Sequence, residues 1–227
     1  MLRLYGFKFS QPTRSVMLLL EKNKIPYSFE VCDVFKGDNR KPAYLKIAPT
    51  GLVPAIQEDD GFTLSEVSAI MTYLAESRGL NEWFGKKEDF KARGRVNFWL
   101  SWHHFNSRTS TRDILTSALF PKLPTSEGKF KAGQGTMKKA MKFMDNSLSS
   151  SSFLASNTSH PSIADLIILP EVDQLLPEAF NLFDYDEFPH VLRWVKDMNS
   201  FLGEEVYGNN FNPVKEAAKS RQLKRLA

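Results

Sequence analysis

The chain has 227 residues, of which 42% are apolar and 25% are charged, values typical of a globular protein. No apolar run approaches the ~18 residues of a membrane span, and the first ten residues are too short and too charged for a signal peptide, so we expect no membrane partner. The single cysteine, Cys32, excludes an internal disulfide framework and a cysteine-based zinc site, and it indicates a reducing compartment, most simply the cytoplasm.

The net charge of +4 has a local origin. Residues 214–227, "VKEAAKSRQLKRLA", hold five basic residues and one acidic residue, which equals the whole excess. A basic segment of this kind can bind RNA or an anionic surface. The alternative is a solvated C-terminal helix or a frayed end, and on that interpretation we expect no nucleic-acid partner.

Residues 1–78 alternate between strand and helix patterns, which predicts a small α/β domain. "LRLYG" is typical of a strand, and "PTRSVMLLLEKNK" of a helix with proline in its first turn. In order, there follow a strand in "YSFEVCDV", a short broken helix in "NRKPAYLKIAP", strands in "LVPAIQ" and "GFTL", and an amphipathic helix in "SEVSAIMTYLAES".

Residues 79–88 are a plausible linker, and residues 89–227 show no convincing strand. This second part is predicted to be all-helical. Its segments are a long helical region in "KARGRVNFWLSWHHFNSRTSTRDILTSAL", a helix that starts near Gly135, a Ser-rich loop at 147–159, an apolar helix after Ser162 and an amphipathic helix in "FPHVLRWVKDMNSFL".

Local patterns refine three of these helices. The first long helix carries two apolar stripes at helical spacing, one of Val96, Trp99, Leu100 and His103, the other of Phe98, Trp102 and Phe105. His103 and His104 are adjacent and point to different faces, so they are no metal pair. Ser162 and Asp165 form a variant capping box, and Pro170 is expected to kink or shorten the helix that they start.

The order and spacing of five motifs resemble the cytosolic glutathione transferases, most closely the theta class. The motifs are "SQPTR" at 10–14, "KGDNRKPAYLKIAPTGLVPAI" at 36–56, "LSEVSAIMTYL" at 64–74, "RVNFWLSWHH" at 95–104 and "SIADL" at 162–166. The resemblance covers nearly the whole chain. It implies a thioredoxin-like N-terminal domain, an all-helical C-terminal domain, a homodimer, and glutathione as co-substrate without a metal.

Ser10 carries the chemistry that the resemblance implies. A free thiol has a pKa of roughly 8.5, and lowering it by two units takes roughly 2.7 kcal/mol of selective stabilisation of the thiolate. A hydroxyl donor at the positive end of a helix can supply this, and Ser10 precedes the helix that Pro12 begins. The alternative is a plain N-cap. Arg14 either supports the sulfur electrostatically or forms an ordinary surface or interdomain salt bridge.

The resemblance assigns further residues to glutathione. The cysteinyl backbone pairs with Val53 before a cis-proline, Pro54, although a purely structural cis-proline looks identical. The γ-glutamyl carboxylate binds the Val67 amide, and Glu66 binds the γ-glutamyl ammonium. The alternative for Glu66 is an acidic residue that only stabilises the helix N-terminus. The glycine carboxylate lies near Asn39 and Arg40, in a segment that is otherwise a solvated basic loop.

Two positions depart from the family pattern. Val67 stands where serine is usual and loses a hydroxyl that contacts the γ-glutamyl carboxylate, and helix geometry turns Ser68 about 100° away. Leu52 stands where many theta-like proteins have lysine. Each loss removes ~1 kcal/mol of glutathione binding.

The electrophile pocket is expected between the two domains. Candidates for its wall are Phe7, Phe9, Trp102, Phe105 and Arg108, although each aromatic ring has hydrophobic core as its alternative. The resemblance implies conjugation of the glutathione thiolate to small electrophiles, with peroxidase or dehalogenase activity as accessories. The alternative is a non-catalytic ligand-binding or structural protein on the same fold, which the departures at Val67 and Leu52 favour and the intact "SQPTR" opposes.

Overall fold

The computed structural model describes residues 1–120, 122, 124, 126–155 and 160–221. Its N-terminal part contains, in order, β1 (Leu2–Gly6), α1 (Gln11–Lys22), β2 (Tyr27–Val31), a 3-10 turn (Asp38–Arg40), α2 (Pro42–Leu45), β3 (Ala55–Gln57), β4 (Thr63–Ser65) and α3 (Val67–Ser77). The strand order is β2-β1-β3-β4, with β1 parallel to β2 and antiparallel to β3. This mixed sheet confirms the thioredoxin-like fold.

Successive side chains of each strand point to opposite faces of the sheet, and apolar residues on both faces are covered by helices. Leu4 and Ile56 are fully buried in the main core together with α1 and α3. Tyr5 and Ala55, their neighbours along the strands, face the opposite side and pack with Tyr44 of α2. The β1–α1 loop and the segment before β3 are thereby held at one edge of the domain.

The rest of the described chain is helical, as predicted. Its helices are α4 (Asn81–Phe84), α5 (Phe90–Phe105), α6 (Ser107–Leu119), α7 (Ser126–Leu148), α8 (Ile163–Asp173), α9 (Pro189–Leu202) and α10 (Glu204–Arg221). None of the helices in the described ranges is long and apolar enough to cross a membrane.

Helix α8 is the centre of the molecule, because every residue in it is buried. The predicted capping box is confirmed: Asp165 Oδ2 accepts from the Ser162 N–H at 2.8 Å, and Ser162 Oγ accepts from the Ala164 N–H at 3.2 Å. The other Asp165 oxygen accepts from Trp194 Nε1 at 2.9 Å. Burial raises the pKa of Asp165, and these donors act against the shift. The box therefore also ties α8 to α9.

Four details differ from the sequence expectations. The long helical region divides at Asn106, whose φ of −110° and ψ of −88° are not helical. The start of the next helix near Gly135 is wrong, since α7 begins at Ser126. α4 lies inside the expected linker. β2 ends at Val31, so Cys32 follows the strand instead of lying within it.

The first part of the basic segment is helical and its Lys219 is exposed, as expected for a solvated helix, but its apolar side chains are not solvated. Val214 and Ala218 of α10 are buried, because α10 packs on α1 and α9. Residues 222–227 and, in the Ser-rich segment, residues 156–159 lie outside the described residues. Pro170 is accommodated inside α8, which ends three residues later at Asp173.

Candidate active site

A cleft of about 490 Å³ lies between the sheet domain and the helices. The N-terminal side contributes Phe7, Phe9, Ser10, Gln11, Val34, Phe35, Asn39, Leu52 and Val53. The helical side contributes Arg108, Arg112, Leu115, Thr116, Leu119, Phe120, Gln174, Phe180, Val214 and Ala217. Both sides are therefore mixed: aromatic rings flank the polar start of α1 on one side, and Arg108, Arg112 and Gln174 stand among apolar residues on the other.

Ser10 stands at the N-cap position of α1 with extended backbone, and it lines the cleft. Its N–H donates to the Phe7 carbonyl at 2.8 Å, which turns the chain from β1 into the helix. Its hydroxyl makes no capping bond and has no other hydrogen-bond partner among the described residues. The plain N-cap alternative is thus not the arrangement found. The hydroxyl is available at the positive end of a helix.

Close packing fixes the turn that carries Ser10. A Cβ on Gly6 would lie 2.4 Å from Thr13 Cγ2, so only glycine allows α1 this close to β1. Thr13 Oγ1 also accepts from the Phe7 N–H at 3.4 Å. The loop is therefore tied to both the strand and the helix that flank it.

The segment before β3 forms a second edge of the cleft. The Val53–Pro54 peptide bond is cis, and Val53 lines the cleft. Asn39 is buried and its Nδ2 donates to the Gly51 carbonyl at 2.7 Å. Burial raises the pKa of Tyr44, and its hydroxyl donates to the Leu52 carbonyl at 2.6 Å. Two side chains thus hold this backbone in place.

Helix α3 begins beside this edge. Val67 is its first residue, so the Val67 N–H has no acceptor within the helix. Glu66, the residue before it, has φ of 73° and ψ of 115°, a backbone conformation rare outside glycine. Such strain is typically kept at functional positions, where the surrounding structure holds it.

A buried polar network joins α1 to α8 at the floor of the cleft. Arg14 is 1% exposed, and its guanidinium contacts Asp173 at 3.2 Å and the Pro170 carbonyl at 2.9 Å. Gln11 Nε2 donates to Gln174 Oε1 at 2.8 Å. Of the two alternatives for Arg14, the structure contains the interdomain salt bridge. Burial raises the pKa of Asp173 to about 6, although the Arg14 charge acts in the opposite direction.

The network continues to α6. Arg108 Nη1 donates to Gln11 Oε1 at 2.7 Å and to Glu171 Oε1 at 3.3 Å. The same Glu171 oxygen lies 3.4 Å from His103 Nε2. Arg108 is 30% exposed on the cleft side, whereas Glu171 and His103 are buried.

Comparisons with known proteins agree with this geometry. Residues 4–82 match the family model "Glutathione S-transferase, N-terminal domain", and residues 111–201 match "Glutathione S-transferase, C-terminal domain". Human glutathione S-transferase theta-2B is 30% identical over 202 residues, which cover 87% of this chain and 80% of that protein. The chain belongs to the glutathione S-transferase family. Human glutathione S-transferase theta-1 is 29% identical over 91% of this chain and 85% of its own length.

Solved structures of theta-class family members superpose closely. Apo human glutathione S-transferase T1-1 has a TM-score of 0.84 at 28% identity, over 96% of this chain and 91% of that one. Human glutathione transferase theta-2 in complex with glutathione and an unknown ligand has a TM-score of 0.86 at 27% identity, over 99% and 93%. A human theta-class transferase bound to the glutathione conjugate of 1-menaphthyl sulfate has a TM-score of 0.85 at 27% identity, over 98% and 91%.

In this glutathione S-transferase family member, the structure brings Phe7, Phe9, Ser10 and Arg108 together at the cleft, as the sequence predicted. It does not bring Trp102 and Phe105 there. Trp102 stacks on Phe143 of α7, with ring centroids 5.6 Å apart. Phe105 is 77% exposed and lies on a separate shallow groove between α3 and α5. Trp102 and Phe105 belong to α5, which ends before the break at Asn106, whereas Arg108 belongs to α6.

Sequence reasoning missed several cleft residues. Phe35 follows β2, and its ring meets Phe7 at 5.4 Å and Phe120 of the helical side at 6.4 Å. Gln174 and Val214 come from distant segments of the chain. Of these residues, Gln11 is the one that the sequence could have identified, because it follows Ser10 in the "SQPTR" motif. The others carry no local signal of a cleft position.

The remaining expectations concern ionisable residues away from the cleft wall. Cys32 is 3% exposed, and burial raises the pKa of its thiol to about 11, with Asp38 and Asp33 adding to the shift. The thiol is thus buried and unreactive at neutral pH, as expected. No group of three or more metal-binding side chains is found among the described residues.

Proposed function

We propose that this protein is a theta-like glutathione transferase that conjugates the glutathione thiolate to small electrophiles. The observation that carries the proposal is the Ser10 hydroxyl, which lines the cleft at the start of α1 and has no hydrogen-bond partner among the residues that the structure describes. The theta-class relatives named above, two of them solved with glutathione or a glutathione conjugate, support it.

Ser10 would donate its hydroxyl proton to the glutathione sulfur in a hydrogen bond, and the N-terminus of α1 would add its partial positive charge. Both stabilise the thiolate more than the thiol, so they lower the pKa of bound glutathione. The thiolate then attacks the electrophilic carbon, a carbon–sulfur bond forms, and the leaving group departs with the electron pair. Arg14 would support this site indirectly, because its ion pair docks α1 on α8.

The glutathione backbone would lie along the edge formed by the segment before β3 and the start of α3. Val53 would pair with the cysteinyl group, next to Leu52 and Pro54. The γ-glutamyl carboxylate would sit on the Val67 N–H, which has no acceptor within α3, with Glu66 holding the ammonium. The remaining residues proposed for the glycine carboxylate are Asn39, which here supports the Gly51 carbonyl, and Arg40 beside it.

The apolar half of the cleft would receive the electrophile. Phe7, Phe9 and Arg108 were predicted there, and Phe35 and Phe120 complete the aromatic wall. Space of this kind suits a small hydrophobic compound. Accessory peroxidase or dehalogenase activity would use the same thiolate.

Three broader features belong to the same proposal. The domains would comprise residues 1–78 and 89–227, with 79–88 between them. The protein would be a cytoplasmic homodimer, in which the groove between α3 and α5 meets the partner. Its lining by Tyr73, Leu100 and Phe105 mixes apolar and polar groups, as subunit interfaces do.

The test is turnover of purified protein with glutathione and a panel of small electrophiles, such as alkyl halides, aryl halides and organic peroxides. Conjugate formation detected by mass spectrometry, faster than the uncatalysed reaction, is the expected result. Saturable glutathione binding without turnover of any compound would instead indicate a carrier on the same fold.

A further inference from the structure

Glu171 of α8 has no role in the glutathione site described above, yet it is a fully buried carboxylate directly behind the cleft. Its Oε1 receives Arg108 at 3.3 Å and lies 3.4 Å from His103 Nε2. Its Oε2 has no hydrogen-bond partner among the described residues. A buried carboxylate is costly unless it is paired and hydrogen-bonded, so an incompletely bonded one calls for an explanation.

Stability alone does not explain the Glu171–Arg108 pair. Buried ion pairs are often no more stabilising than apolar residues of similar size, because desolvation offsets the Coulomb attraction. Arg108 is also not buried with its partner: it is 30% exposed and lines the cleft. The pair therefore joins a hidden anion to a cation that faces the proposed substrate space.

The contacts of Arg108 leave part of its guanidinium unused. Only Nη1 is hydrogen-bonded within the described residues, and it is shared between Gln11 and Glu171. Nη2 and Nε make no hydrogen bond to the described residues, and Arg108 lines the cleft. Glu171 behind and Gln11 beside the guanidinium thus restrict its position without occupying all of its donors.

Gln11 links this arrangement to the proposed thiolate site. It is the residue after Ser10, and its amide is held by Arg108 on one side and by Gln174 on the other, the latter at 2.8 Å. A displacement of Arg108 would therefore release one of the two contacts that hold the Gln11 side chain. Small displacements at a reacting centre have large effects on rate.

We propose that Glu171 is a positioning residue, which holds Arg108 at the cleft and, through Arg108, orients Gln11 next to Ser10. This inference rests on the proposed conjugation function. As the thiolate attacks, negative charge moves from sulfur to the leaving group, and a fixed cation in the cleft stabilises that charge more in the transition state than before it. Loss of Glu171 should therefore lower kcat more than it raises KM for glutathione.

The experiment is a double-mutant cycle of Glu171→Gln and Arg108→Ala. Positioning predicts that Glu171→Gln lowers kcat per folded molecule roughly tenfold or more in the wild-type background and has almost no further effect once Arg108 is absent. Asp145→Asn is the control, since it alters a carboxylate of α7 that accepts from the His190 and Val191 N–H groups and has no contact with this network. Its effect on kcat should add to that of Arg108→Ala. Additive effects of Glu171→Gln would overturn the proposal.

Arg108→Lys provides a second test on a partly exposed residue, in case Glu171→Gln folds poorly. An ammonium keeps the charge but lacks the planar fork that Gln11 and Glu171 hold. Positioning predicts a kcat close to that of Arg108→Ala. A kcat near the wild-type value would show that charge alone suffices, and it would contradict the role given to Glu171.

Binding of 8-anilinonaphthalene-1-sulfonate, an anionic aromatic probe, separates this inference from the proposed function. If the wild-type protein shows no conjugation, the proposed function fails, and the same cycle is measured on probe affinity. Non-additive loss of affinity would still support positioning of Arg108 by Glu171. Additive loss, or no effect of Glu171→Gln on affinity, would overturn it.

Discussion

Arg14 of α1 and Asp173 of α8 form a buried ion pair between the sheet domain and the helical domain, with 3.2 Å between Nη1 and Oδ1. The same guanidinium donates to the Pro170 carbonyl, one of the last four carbonyls of α8 that lack a partner within the helix. Arg14 therefore supplies a counter-charge to Asp173 and a hydrogen-bond donor to a carbonyl at the C-terminal end of α8. This contact sets how α1, which carries Ser10, sits against the helices that complete the cleft.

Replacing Asp173 tests that coupling. Asp173→Asn should lower the free energy of unfolding by about 3 kcal/mol, because the Arg14 charge stays buried without a counter-charge. Urea denaturation followed by circular dichroism measures the change. The control is Glu187→Gln in the exposed Lys138–Glu187 pair, where we expect a change within about 0.5 kcal/mol. Equal effects of the two variants would show that burial of the pair is energetically unimportant.

Phe35 and Phe120 close the apolar wall from opposite sides of the cleft, with ring centroids 6.4 Å apart. Phe120→Ala should raise KM for an aromatic electrophile about fivefold, since part of the apolar surface that shields the substrate from water is removed. KM for glutathione should stay unchanged. Steady-state kinetics with each substrate varied in turn gives both values.

Phe105→Ala distinguishes the sequence prediction from the structure. The sequence places this ring in the electrophile pocket, whereas the structure places it outside the cleft, 77% exposed. On the structure, the electrophile KM should not respond to Phe105→Ala, and Phe90→Ala on the same helix is the exposed control. A rise as large as that of Phe120→Ala would support the sequence prediction instead.

Val67 offers a gain-of-function test of the proposed γ-glutamyl site. Val67→Ser adds a hydroxyl at the first residue of α3, next to the N–H groups proposed to bind the carboxylate, and should strengthen glutathione binding by about 1 kcal/mol, roughly fivefold in Kd. Calorimetric titration measures the affinity. Ser68→Ala is the control, because that side chain is turned about 100° from Val67 and should have little effect. Unchanged affinity in Val67→Ser would argue against a carboxylate at this helix start.

The burial of Cys32 predicts that the reactivity of its thiol depends on pH differently in the native and in the unfolded protein. Burial raises its pKa to about 11 from an ordinary value of 9.0, so the thiolate fraction at pH 8 should be roughly 100-fold smaller in the native than in the unfolded protein. Alkylation by iodoacetamide, followed by mass spectrometry, should therefore keep accelerating above pH 9 in the native protein, whereas in urea it levels off. Because the folded pKa is the higher one, this thiol's contribution to stability is lost as the pH rises from about 9 to about 11. A native rate that levels off near pH 9 would contradict the burial effect.

The parts of the fold that depend on short-range pattern could be predicted from sequence. The strand–turn–helix around Ser10 follows from Pro12 after an apolar strand, and the capping box follows from Ser162 and Asp165, because each involves neighbours a few residues apart. The buried stripe of α5 follows from helical spacing, and all four of its residues are buried.

Contacts between residues that are far apart along the chain could not be predicted from the sequence. Helical spacing shows that Trp102 is on an apolar face, but it does not show that Phe143 of α7 covers that face. Val214 begins a segment whose sequence is rich in charged residues, which gives no sign that its side chain is buried. Its burial depends on the docking of α10 against α1. The Phe35–Phe120 contact likewise joins two loop-end residues that only the packed domains bring together.

The most direct test of the central claim is the pKa of the glutathione thiol when it is bound, measured by thiolate absorbance from about pH 5 to about pH 9. The wild-type protein should give a bound pKa roughly two units below the free value of roughly 8.5, and Ser10→Ala should remove most of this shift while glutathione still binds. Ser15→Ala, which removes a hydroxyl from the same helix that donates to the Gln11 carbonyl at 3.1 Å, serves as the control. A bound pKa that is unshifted in the wild type, or equally lowered in Ser10→Ala, would contradict the role assigned to Ser10.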